Sequence, residues 1–233
     1  MKSIRLFCCL LATSLLSACA YHNKLPRDIF AAPAAEERVA ASVLVCADQV
    51  AQKQFVLKDY HSQNSVHTYK IALADGSQIA TAEALATLFD TVEVNPCKHS
   101  SKYTYYAVLH YTVGDGKTDS LDSIQWFGGQ PPLLQTHVLV EIYNSTTLQK
   151  VFSMFASRQN RVEMSSVTAA AQRVENKGTA LFLPFTGPVY TEQFGNNLNY
   201  TLSRDLSQCL EEIAQTLQQN RALFAPQAEN NVK

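Results

Sequence analysis

Residues 103–113, Tyr103-Thr104-Tyr105-Tyr106-Ala107-Val108-Leu109-His110-Tyr111-Thr112-Val113, alternate between two faces that are both partly apolar. Tyr103, Tyr105, Ala107, Leu109, Tyr111 and Val113 share one side, and Thr104, Tyr106, Val108, His110 and Thr112 share the other. A period of two is the strand period, and a strand apolar on both sides belongs inside a sheet rather than at its edge. Downstream, Gln135–Tyr143 and Lys150–Ser157 read as two more strands, joined by the polar connection 144–149 and therefore antiparallel.

Upstream, Ser42–Ala47 and Thr68–Ala74 are rich in apolar and β-branched residues, and the second runs into Asp75-Gly76. Ser77 is placed to cap a helix through Phe89, in which Ile79, Ala82, Leu85, Ala86 and Phe89 recur at helical spacing, and Thr91–Val94 follows as a strand. Residues 165–175 predict a short helix ending near Gly178. Residues 179–196, with Pro184, Gly187, Pro188 and Gly195, read as irregular. From Leu198 to Gln219, Leu198, Leu202, Leu206, Cys209, Leu210, Ile213 and Leu217 form one stripe, the clearest amphipathic helix in the chain. The expected fold class is α+β: a mixed or mainly antiparallel sheet with helices packed on one face, a two-layer sandwich.

At the N-terminus, Lys2 and Arg5 precede an eleven-residue, largely apolar run, Leu6 to Leu16, too short to span a membrane as a helix. That is the anatomy of a cleavable signal peptide. Leu16-Ser17-Ala18-Cys19 resembles the lipobox of bacterial lipoproteins. The resemblance implies cleavage before Cys19, diacylglycerol on its thiol and, because Ala20 rather than Asp follows, sorting to the outer membrane with the protein facing the periplasm. Two or three acyl chains hold a protein to a bilayer stably, where one holds only marginally.

The expected organisation is a signal peptide over 1–18, a lipidated tether over 19–41, one α+β domain over 42–224 and a disordered polar tail over 225–233. As a flexible chain, the tether would reach roughly 25 Å on average and roughly 70 Å when extended. Without residues 1–18 the chain keeps 17 Lys and Arg against 20 Asp and Glu, a net charge of about −3, with no polybasic footprint for nucleic acid.

Beyond Cys19 three cysteines remain, and three pairings are open to them. Cys46 lies in the apolar run Val43–Ala47 and reads as a buried thiol. Cys97 sits in a polar loop and Cys209 in the terminal helix, so Cys97–Cys209 is the favoured disulfide. The long connection 114–133 holds the only tryptophan, Trp126, beside Phe127, and far exceeds a tight hairpin. Such aromatics anchor interfaces, which makes Trp126 and Phe127 candidate partner-binding residues, while the same pair folded back would lid the core.

No nucleophile elbow, zinc-helix motif, phosphate loop or paired C-x-x-C occurs in the sequence. Asp115-Gly116-Lys117-Thr118-Asp119 fails as a calcium loop because its third position is Lys117 and its twelfth Trp126. His22, His61, His67, His99, His110 and His137 never recur at metal-ligand spacing, though strand residues His110 and His137 are in position to face each other. No catalytic residue, metal or cofactor is expected.

In layout the chain resembles periplasmic assembly lipoproteins of the curli-secretion-channel and YajG-like kind. An early strand, a helix with Ile79, Leu85 and Phe89 leading to Val92-Glu93-Val94, a Tyr-rich strand, a hairpin and a closing helix carry that resemblance over about residues 42–219. It implies a non-catalytic accessory or assembly subunit that docks on an envelope protein partner. The alternative is a binder of glycan, lipid or peptidoglycan, with Tyr103, Tyr105, Tyr106, Tyr111 and Trp126 lining a groove.

Overall fold

In the computed structural model, the residues described are 20–30, 38–47, 52–62, 65–97, 102–115, 124–126, 131–163 and 186–224. Among these described residues, nine strands and two α-helices follow in the order β1 (Ala20–Lys24), β2 (Val39–Cys46), β3 (Gln54–Ser62), β4 (Ser65–Ala72), α1 (Ala74–Leu85), β5 (Phe89–Asn95), β6 (Tyr105–Gly114), β7 (Ile124–Trp126), β8 (Leu133–Asn144), β9 (Lys150–Arg161) and α2 (Thr186–Gln219), closed by a 3-10 turn at Arg221–Phe224.

The fold is α+β, as expected, but the strands divide between two sheets rather than one. A five-stranded sheet has the order β5-β2-β6-β8-β9, and a four-stranded sheet the order β1-β4-β3-β7. The Tyr-rich strand is central: β6 runs parallel to β2 and antiparallel to β8, which pairs antiparallel with β9. In the second sheet β3 and β4 form an antiparallel pair, with β1 parallel to β4 on one flank and β7 parallel to β3 on the other.

One hydrophobic cluster joins the two sheets. Phe55, Leu57, Tyr69 and Ile71 enter it from the four-stranded sheet, Val43, Val45, Leu109, Tyr111, Val138 and Val140 from the five-stranded sheet. The stripe Leu198, Leu202, Leu206, Cys209, Leu210, Ile213 and Leu217 is buried throughout. The 34-residue α2 is about 51 Å long at 1.5 Å per residue, enough to cross both sheets. Near its start Phe194 packs on Tyr69 with centroids 4.9 Å apart, and near its end Gln218 donates to the Thr87 carbonyl at 2.7 Å. Phe224 then closes the core edge-on against Phe89 and Tyr105.

Four expectations are corrected. First, Ala20–Lys24, assigned to the tether, is an ordered edge strand in register from Ala20↔Thr68 to Lys24↔Ala72, and Leu25 and Phe30 just beyond it are buried. Short β1 carries no periodicity of its own; its partner lies some fifty residues away. Second, the disulfide is Cys46–Cys97, not Cys97–Cys209. Parallel pairing of β2 with β5 brings the two strand ends together at Cys46↔Asn95, two residues before Cys97. Cys209 is instead a buried free thiol on the core face of α2.

Third, α2 starts at Thr186, within the segment read as irregular. Pro188 stands in the first turn, where its missing N–H costs no helical hydrogen bond. Gly195 is required by contact: a Cβ there would lie 2.4 Å from Cγ of Tyr21. Fourth, α1 starts at Ala74, so Ser77 is not its cap; its hydroxyl donates to the Ala74 carbonyl at 3.0 Å. Gly76 sits in that first turn, where a Cβ would meet the Leu25 Cβ at 2.6 Å. The expected helix at 165–175 and the polar tail 225–233 lie outside the described residues.

Candidate functional site

Two groups of polar side chains are buried beneath α2. In the first, Asp59 on β3 stands directly opposite His67 on β4, and the His67 Nδ1 lies 2.7 Å from the Thr191 Oγ1 of α2. Their residue types are those of a hydroxyl, a base and a carboxylate. All three are buried, at 0%, 6% and 4% exposure for Asp59, His67 and Thr191. The short contact pins the first turns of α2 to the four-stranded sheet. Asp59 takes the place of an apolar residue in the inward series Phe55, Leu57, Asp59, and that interruption is the signal by which sequence could have found it.

In the second group, Asp205 of α2 is fully buried and accepts a hydrogen bond from Asn160 Nδ2 on β9 at 2.7 Å. Arg204 Nε stands 3.8 Å from the same carboxyl oxygen. Burial raises the Asp205 carboxyl above its ordinary value, against the lowering effects of the Asn160 hydrogen bond, Arg204 and Arg158. The Thr136 and Tyr111 hydroxyls and Asp205 Oδ2 are buried there without well-formed hydrogen bonds. Burial, then Asp205 and Cys209, push the Tyr111 phenol upward. Burial likewise pushes the Cys209 thiol up to about 12. Such a thiol is protonated at neutral pH and is a poor nucleophile. Asp205 falls on the apolar face of its helix, three residues after Leu202 and four before Cys209, which is how sequence could have located it.

The outer face of the five-stranded sheet presents a different chemistry. Phe155 on β9 is 55% exposed, and His137 packs edge-on against it at 5.4 Å. Tyr106 and Tyr143 stack at 4.9 Å. Lys150 Nζ bonds Glu141 at 2.9 Å, and that hydrogen bond leads the lowering of the Glu141 carboxyl. His110 and His137 do not face each other: His110 pairs with Leu139, and His137 with Thr112. His110 Nε2 instead lies 3.5 Å from Glu141. Among the described residues no group of three or more metal-ligating side chains occurs.

Of the residues singled out from sequence, Trp126 closes β7 at the edge of the four-stranded sheet, its backbone in register with Asp59. Phe127 and Cys19 lie outside the described residues. The tyrosines expected to line one groove are divided between faces: Tyr105 and Tyr111 point into the core, while Tyr106 is on the outer face.

No family model matches the chain, and no curated protein matches it. Solved structures show remote likeness. A Xanthomonas campestris protein of the DUF330 family shares 12% identity, with 88% of this chain and 99% of that chain covered and a TM-score of 0.45. A PelC dodecamer from Paraburkholderia phytofirmans shares 12% identity over 66% of this chain and 92% of that one, with a TM-score of 0.32. A hypothetical protein from Chlamydia trachomatis shares 6% identity over 72% and 98%, with a TM-score of 0.24.

Proposed function

We propose that the chain is a lipid-anchored protein of a bacterial outer membrane that acts there, without catalysis, as an accessory or assembly subunit. The observation that carries this reading is the junction of lipobox and fold: Cys19 is followed at once by β1, whose first residue, Ala20, is already paired with Thr68. An acylated cysteine at that point fixes the domain at the bilayer surface, where a subunit of a membrane assembly has to be held. The two buried polar groups serve the same reading, because both brace α2 and neither offers a reactive atom at the surface. A partner would meet the outer face of the five-stranded sheet, where Phe155 supplies an exposed aromatic anchor of the kind that dominates interfaces.

Cys19→Ser tests the anchor. The hydroxyl cannot receive the thioether-linked diacylglycerol, so label from radioactive palmitate and membrane association should both be lost. Equal label in wild type and variant refutes the reading.

A further inference from the structure

Among its described residues, the outer face of the four-stranded sheet carries basic side chains and no acidic ones. Alternation places Ala20, His22 and Lys24 of β1 on it. Register adds Thr68, Lys70 and Ala72 of β4, and Gln54, Val56 and Lys58 of β3. Gln125 of β7 continues the row of Lys58. The opposite face, with Tyr69, Ile71, Phe55 and Leu57, is the one buried against the core. Three lysines and a histidine therefore share the outer surface, and among its described residues there is no carboxylate. His22, Lys24 and Gln54 are exposed, with Lys58 and Lys70 half-buried. No ion pair of the described residues involves Lys24, Lys58 or Lys70, whereas Lys102 and Lys150, beside the other sheet, are paired to Glu93 and Glu141. In a chain whose overall charge is negative, this is a concentrated exception.

Its position gives it a use. Lys58 lies in the same cross-strand row as Ala20, two strands away through Thr68, or about 10 Å. That is comparable with the Debye length of about 8 Å at physiological salt, and Ala20 is one peptide unit from Cys19.

We propose that this face docks on anionic phospholipid headgroups, so that the anchor and the lysines together lay the four-stranded sheet against the membrane. The proposal rests on the reading of Cys19 as the acylated residue, which holds the face near the lipid phosphates. Each lysine brought to an anionic surface contributes about a fivefold preference for it. Three together bias the domain toward one orientation and leave the aromatic face of the other sheet open.

The test is amine footprinting of the mature acylated protein in two kinds of vesicle, phosphatidylcholine alone and phosphatidylcholine with phosphatidylglycerol. Lys24, Lys58 and Lys70 should be modified several-fold more slowly in the anionic vesicles. That protection should vanish at high salt, while Lys102 and Lys150 react alike in both. Equal rates at the three lysines overturn the proposal. The mass of the N-terminal peptide reports the acyl group separately. Acylated Cys19 with unprotected lysines removes the docking face and keeps the anchor. Unacylated Cys19 removes the anchor, and the docking face with it unless salt-sensitive protection persists.

Discussion

Replacement of Gly195 by alanine tests whether the residues after Cys19 are folded or free. Two opposing effects meet there. In a helix interior, alanine is favoured over glycine by about 1 kcal/mol, so with nothing against α2 the change stabilises. With β1 docked, the new Cβ would lie 2.4 to 2.6 Å from three atoms of the Tyr21 ring. That ring cannot easily yield: its hydroxyl donates to Asn196 at 2.8 Å and accepts from Asn23 at 2.6 Å. Overpacking of this kind costs about 1 to 3 kcal/mol, leaving a net loss of up to about 2 kcal/mol. In a Tyr21→Ala background the obstruction is gone, and the same change should stabilise by about 1 kcal/mol. Urea denaturation of the four proteins of this cycle measures the coupling, expected at about 1 to 3 kcal/mol with m unchanged. A Gly195→Ala variant more stable than wild type by about 1 kcal/mol, with no coupling to Tyr21, would show that β1 is not packed on the helix and restore a tether.

Other expectations follow from the same geometry. Paired Cys46→Ala and Cys97→Ala changes remove a link closing a 51-residue separation and should cost about 4 kcal/mol on a loop-entropy estimate, with non-reducing peptide mapping recovering a Cys46–Cys97 crosslink from wild type and none containing Cys209. Cys209, buried and with its thiol pushed up to about 12, should resist maleimide in the native protein and react once urea unfolds it; rapid native labelling would contradict its burial. Asp205 holds its proton more tightly folded than unfolded. Its contribution to stability is therefore full below the ordinary carboxylate value of about 4, and lost as pH rises through the raised folded value. Asp205→Asn should flatten that decline in urea midpoint against pH, and an unchanged slope would assign it to other groups.

The elements that sequence made legible are those whose burial pattern is regular. Alternation in β6 and β8 and the leucine stripe of α2 each record one face against one core, so the α+β class and the central place of the Tyr-rich strand could be read directly. Strand β3 could not, because buried Asp59 breaks its inward series of Phe55 and Leu57 and a polar residue there imitates a surface. β1 is five residues long and defined by a partner far along the chain, so local pattern carries no trace of it. The disulfide is hidden from sequence for a related reason: the parallel register of β2 with β5 decides which strand ends meet, and no cysteine spacing encodes register. Of the polar sites, Asp205 was visible in principle, since a carboxylate on the apolar side of a strongly amphipathic helix conflicts with the helix around it.

Helix α2 also bears on how the chain can be divided. Its first turns complete the four-stranded sheet through Thr191, Phe194 and Gly195, and its later turns complete the five-stranded sheet through Asp205 and Glu212, the latter bonded to Arg158 at 2.9 Å. A fragment cut to contain either sheet alone must lose the helix or keep half of it with its leucines bare to water. The two sheets are thus not separable modules. Amides of α2 at both ends should exchange with solvent only through opening of the whole fold, and truncation from the C-terminus into the helix should abolish folding of strands that precede it by more than a hundred residues.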